Sequence, residues 1–289
     1  RVRGYTVEGT PSVEQVVDYI DYHAKQELNC YAVLEVLPYH RRYYNHRYNE
    51  VNRPPEPIAP KIADQWQVMH EAELVKRGMQ IWGGGHGWVE QVVGIAAEDA
   101  NAYGDGSKPL PEEIREKLAM VKGVRGIHNK HPGYTNFCMS RPELRSKYAD
   151  LVVDVAEKNP QLSQIATYLA DNLNNHCECE ECKKKRPSDW YMLIMNEIDE
   201  KLTERGSNKK ILFSYYQDMK FAPLTEKIRN PDRFMLQYCP TSRAYISSIT
   251  EDSQIPEPLP YRHNSWDVTK NAEEDYALFL EWKKMFPGP

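Results

Sequence analysis

The chain has 289 residues, of which 40% are hydrophobic and 27% charged, and a formal net charge of −5. This is a globular profile, long enough for one large or two medium domains. The acidic balance and the lack of a basic face argue against nucleic acid as a partner, and no apolar run approaches the ~18 residues that span a membrane.

In chain order, residues 1–9 read as a strand ending in a turn. A helix follows, capped by Ser12, with Val16, Val17 and Ile20 at helical spacing. Residues 28–37 form a second strand, and a loop rich in Tyr, Arg and Pro runs to about Pro60. A helix over 63–77 stops at Gly78. The third strand, 79–82, runs into Gly83, Gly84, Gly85, His86 and Gly87. Helices are predicted over 111–122 and 142–158, a fourth strand over 162–170, and a helix over 188–205. The fifth and sixth strands cover 211–217 and 233–239, and a last helix covers 272–285.

Such alternation predicts a parallel sheet with crossover helices. Six strand–helix units fit an open sheet, or a TIM-type (β/α)8 barrel whose last two units lie beyond this chain. Residues 1–289 read as a single α/β domain. The closing Phe286-Pro287-Gly288-Pro289 is a turn signal that typically precedes another strand, and the chain starts at Arg1 without methionine. A fragment of a longer protein is therefore expected, with any targeting segment removed.

Cys177, Cys179 and Cys182 sit within six residues, just past the fourth strand. In α/β folds this is the end at which ligands bind. Disulfides between such near neighbours are strained. A soft metal held by thiolates, zinc first, is the leading reading, with reduced or partly paired thiols as the alternative. The other cysteines are Cys30, Cys138 and Cys239, and six in a chain this long do not form a disulfide scaffold.

The opening segment resembles the first β-α-β unit of family 20 glycoside hydrolases, the β-hexosaminidases, through Arg3-Gly4 and Glu27-Leu28-Asn29. Gly84-Gly85-His86 is similar to that family's Pro-Gly-His. The middle of the chain resembles a bacterial family of barrel proteins catalogued as domain of unknown function 4838. It shares a cysteine before a helix start (Cys138 to Glu143), a strand ending in Asp (Asp171), and Cys-x-Cys-x-x-Cys (Cys177, Cys179, Cys182). The resemblance covers roughly residues 1–240.

It implies a TIM-type barrel of the glycosidase group that acts on a carbohydrate, without an organic cofactor. The protein would be bacterial and exported or periplasmic. It also implies Cys138 as the fourth ligand beside Cys177, Cys179 and Cys182, with His176 as the rival. Four thiolates closing a zinc sphere make a structural site.

Glycoside hydrolysis needs a proton donor and a group that stabilises the oxocarbenium ion. Acidic residues at predicted strand ends are Glu8, Glu35, Asp171 and Asp218. In family 20 the fourth strand ends in Asp-Glu, where Asp orients the substrate acetamido group and Glu is the general acid. Here the pair is Asp171-Asn172, and an amide cannot deliver a proton. Glu35 or Asp218 would have to replace it, or the barrel binds sugar without cleaving it. Arg3 and His86 are candidate sugar contacts through the resemblance, and Glu8 and Asn172 join them at the predicted mouth. Tyr215, Tyr216, Tyr238 and Trp266 are candidate stacking surfaces; core packing accounts for such aromatics equally well.

Overall fold

The computed structural model describes residues 2–6, 13–32, 58–242 and 248–289. Glu8, Glu35, the Ser12 cap and the ends of the first two predicted strands lie outside the described residues. The chain divides into two compact units. The first comprises Arg1–Gly87, Asp154–Tyr168 and Lys209–Ile211, and the second Trp88–Val153, Leu169–Asn208 and Leu212–Pro289.

In the first unit, β1 (Gly4–Thr6), β2 (Cys30–Ala32), β3 (Gln80–Gly85) and β6 (Leu162–Thr167) pair in parallel in that order. The register sets Gly4 beside Cys30, Cys30 beside Gln80, and Gly84 beside Ala166. Helices α1 (Val13–Lys25) and α2 (Pro60–Lys76) bury Val16, Ile20, Ala63 and Leu74. Gly84 has φ 89°, and a Cβ there would overlap the Ala166 carbonyl, so only glycine fits this strand contact.

Strand β7 (Lys210–Tyr215) begins in the first unit and ends in the second, where β8 (Phe234–Tyr238) is its neighbour. The complete order is β1-β2-β3-β6-β7-β8. Strands β6 and β7 are buried along nearly their whole length, as expected of strands covered on both faces.

The second unit also holds α3 (Trp88–Val93), α4 (Ala100–Asp105), α5 (Glu112–Arg115), the hairpin strands β4 (Met120–Val121) and β5 (Val124–Arg125), α7 (Pro187–Glu204) and α8 (Ala272–Met285). Helix α6 (Pro142–Lys158) leads from it into β6. Helix α7 buries Tyr191, Ile194, Met195, Ile198 and Leu202 at three- and four-residue spacing. Its Asp189 Oδ1 accepts the Leu224, Thr225 and Glu226 N–H groups at 2.9, 2.7 and 2.9 Å. In the core, Phe213 meets the rings of Tyr191, Phe234, Trp282 and Phe286 at centroid distances of 6.1, 6.2, 5.9 and 5.2 Å.

One predicted element changes type, and the fourth strand stops at Thr167 rather than at 170. The helix expected over 111–122 ends at Arg115, and residues from Met120 form the β4–β5 hairpin. Lys122 (φ 52°) and Gly123 (φ 76°) supply the two left-handed residues that a tight two-residue hairpin turn demands. Helices 142–158 and 272–285 have the predicted bounds. The fifth strand stops at Tyr215 rather than 217, because Gln217 turns into the left-handed region with φ 50°.

Candidate functional site: a four-cysteine cluster beside a buried carboxyl

Four thiols meet in the second unit. Cys138 Sγ lies 3.6 Å from Cys177 Sγ, 3.7 Å from Cys179 Sγ and 3.8 Å from Cys182 Sγ, and all four sulfurs fall within 4.8 Å of one another. A disulfide would need about 2.05 Å, and the cysteines are free. Metal–sulfur bonds of ~2.3 Å in a tetrahedron place sulfurs about 3.8 Å apart, so the spacing fits a tetrathiolate. The four close cysteines are a group able to hold a metal ion.

Local structure explains the convergence. The β4–β5 hairpin packs under the sulfurs, with the Met120 N–H 3.4 Å from Cys177 Sγ. Cys138 precedes α6, and the Ser140 N–H there lies 3.3 Å from Cys182 Sγ. Arg125 reaches Cys177 and Cys138 at 3.8 and 3.9 Å. Burial works against the Arg125 charge, but the Cys138 and Cys177 sulfurs outweigh it and hold its pKa above the ordinary value. Donation by the Cys177 and Cys182 thiols pulls Cys138 well below the usual thiol range, and Cys177 is correspondingly pushed up to about 11. Such backbone and guanidinium donors are what a cluster carrying negative charge requires.

The chain between β6 and the cysteines runs beside the loop after β7. Asp171 is half-buried, and its N–H donates to the Gly133 carbonyl at 2.8 Å. The Tyr216 hydroxyl is pushed up to about 12 by burial, reinforced by its contact with Asp171. Asp218 is only 1% exposed. Its Oδ2 accepts the Asn174 N–H at 2.8 Å, whereas Oδ1 has no hydrogen-bond partner. Burial raises its carboxyl to about 6, against the opposing Asn174 N–H and the Trp266 indole.

His176 Nε2 lies 3.9 Å from Asp218 Oδ2. Burial, aided by His263, depresses His176 to about 3, so the contact joins a carboxyl and a neutral imidazole rather than two ions. His176, the rival fourth ligand, thus lies against Asp218, and the metal-competent group consists of the four cysteines.

The other sequence candidates fall in varied places. Tyr215 is fully buried, and its hydroxyl donates to the Asp275 carbonyl at 2.6 Å. Tyr238 packs its ring on Tyr215 and Phe279 at 5.2 and 4.6 Å. Trp266 is 7% exposed and meets Phe221 edge-on at 5.2 Å. Asn172 Oδ1 accepts the Leu173 N–H at 2.7 Å. In the first unit, Arg3 is exposed, with its backbone N–H on Asn29 Oδ1 at 2.8 Å, and His86 meets the Tyr168 ring at 5.2 Å.

Sequence reasoning missed Arg125, Asn264 and the fully buried ion pair of Lys220 with Asp275, in which Lys220 also donates to Thr241 Oγ1 at 2.5 Å. No local signal marks them, since each partner is distant in the chain.

No family model matches the chain, and no curated protein matches it. Among solved structures it is similar to a β-N-acetylhexosaminidase from Bacteroides fragilis, with 14% identity, 82% of this chain and 45% of that one covered, and a TM-score of 0.48. It is also similar to an O-GlcNAc hydrolase mutant of Thermobaculum terrenum (11% identity, 74% and 35% covered, TM-score 0.42). A mutant Streptomyces plicatus β-hexosaminidase gives 12% identity, 82% and 42% coverage and a TM-score of 0.42. The chain spans less than half the length of each.

Proposed function

We propose that the protein is a glycoside hydrolase built on an incomplete (β/α)8 barrel, with a structural zinc held by Cys138, Cys177, Cys179 and Cys182. The strand order supports the barrel. Strands β1, β2, β3, β6, β7 and β8 are neighbours in chain order, without the reversal that marks doubly wound sheets. A closed set of four thiolates has no open position for substrate, so the metal's chemistry would be to cross-link the β4–β5 hairpin, the start of α6 and the loop after β6.

The observation that carries the reading is a pair of unlike carboxyl groups on loops that follow β6 and β7. Asp171 is half-buried beside the Tyr216 hydroxyl, and Asp218, raised to about 6, keeps its proton to far higher pH than an ordinary aspartate. A carboxyl that holds its proton to higher pH than an ordinary aspartate, with a second carboxyl at the same strand ends, is the kind of pair that acid-assisted glycoside cleavage uses. In this reading Asp171 contacts the sugar and Asp218 supplies the proton that Asn172 cannot.

A panel of aryl glycosides, N-acetylhexosaminides and glucuronides among them, tests it on the full-length protein. Turnover abolished by Asp171→Ala or Asp218→Asn, with folding intact, is expected; Glu35→Ala is run beside them. A second reading, a sugar-binding barrel without catalysis, is favoured by the amide at Asn172 and the 1% exposure of Asp218. No turnover, with sugars still raising the melting temperature, would establish it instead.

A further inference from the structure

The cysteines and Asp218 are joined by one short stretch of chain. Asn174 adopts φ 56°, which directs its N–H to Asp218 Oδ2. Its side chain grips Trp266 at both ends, with Nδ2 donating to the Trp266 carbonyl at 3.0 Å and Oδ1 accepting the Trp266 N–H at 3.2 Å. Asn264 fastens the next residues: its Oδ1 accepts the His176 N–H at 3.0 Å, and its Nδ2 donates to the His176 carbonyl at 2.6 Å and to Glu178 Oε1 at 2.8 Å. Glu178 is tied in turn to the β4–β5 hairpin through Met120 and Lys122, both at 2.7 Å. Cys177 and Cys179 flank Glu178.

The far end of this strap is thinly held: His176 Nδ1 is buried without a hydrogen-bond partner, and Asp218 relies on the Asn174 N–H and the Trp266 indole, both of which belong to the strap itself. Buried polar atoms left unpaired favour opening of the structure around them. Chain continuity with the cysteine cluster is a further source of order for this stretch, because metal ligation contributes folding free energy directly.

We propose that a metal ion held by the four cysteines positions Asp218 from a distance, with Asn174, His176 and Asn264 as the positioning residues that carry its ordering effect to the carboxyl and to Trp266. The consequence for catalysis rests on the reading of Asp218 as proton donor; the coupling itself does not.

Hydrogen exchange by mass spectrometry on the zinc-loaded full-length protein, before and after chelation, tests the proposal. Chelation is expected to speed exchange on the order of tenfold in 214–222 and 261–268 as well as in 172–182. Faster exchange confined to 117–125, 138–140 and 177–182 would overturn it. Should chelation also release α7 and α8, the whole unit has opened, and zinc-loaded Asn264→Ala decides. It is expected to keep one zinc per chain and a protected 177–182 segment while 214–222 exchanges faster than in wild type. Unchanged protection of 214–222 in that variant overturns the coupling. A coupling that appears in a protein with no glycosidase turnover would sink the enzyme reading and leave this inference standing.

Discussion

Replacing Asp218 by asparagine should stabilise the protein increasingly as the pH rises. Burial holds the carboxyl at about 6 against an ordinary value of 3.8, so the folded state binds this proton more tightly than the unfolded chain. A group of this kind favours folding fully below pH 3.8 and loses that contribution as the pH rises through 6. Relative to a side chain that stays neutral, the titrating carboxyl therefore costs the fold about 1.6 kcal/mol at pH 5 and about 3 kcal/mol at pH 8. Asparagine retains an oxygen for the Asn174 N–H and carries no charge at either pH. Its buried NH2 group would stand where Oδ1 now has no partner, an offset of about 1–3 kcal/mol that does not vary with pH. The difference between pH 5 and pH 8 isolates the ionisation at about 1.4 kcal/mol, or roughly 2–3 °C in melting temperature. Calorimetry of both proteins at saturating zinc across that range measures it. A variant-minus-wild-type difference that is flat with pH, or that falls as the pH rises, would refute the buried, proton-retaining carboxyl.

The cysteine cluster predicts one cobalt ion per chain with the absorption of a tetrahedral tetrathiolate, and Cys138→Ser or Cys182→Ser should weaken or abolish it. A spectrum unaffected by Cys138→Ser would place the fourth ligand elsewhere. The Lys220–Asp275 pair has both side chains fully buried, so Lys220→Met alone should destabilise by about 3–5 kcal/mol by leaving Asp275 uncompensated. Lys220→Met with Asp275→Leu should recover most of that loss in denaturant melts. Equal losses in the single and double variants would show that packing, not charge, is what Lys220 supplies.

Local chemistry made the elements readable. The helices at 142–158 and 272–285 announce themselves by periodicity and by the turn residues at their ends, and the strand cores by buried apolar runs. The 111–122 segment was misread because its composition suits a helix, while the hairpin depends on two left-handed residues, one of which, Lys122, has no compositional signature.

Three of the four cysteines are legible as a cluster because five residues of chain cannot carry them far apart. Cys138, 39 residues from Cys177, joins them only through the fold. The same holds for Asp218 with Asn174, 44 residues apart, for His176 with Asn264, 88 apart, and for Lys220 with Asp275, 55 apart. Sequence alone determined most of the strands and helices, though not the β4–β5 hairpin, and where three of the four thiols crowd together, because those follow from interactions within a few residues. Which loops lie side by side beyond the strand ends, and so which carboxyl is buried and has its pKa raised, was decided by strand order and packing, which no short stretch of sequence encodes.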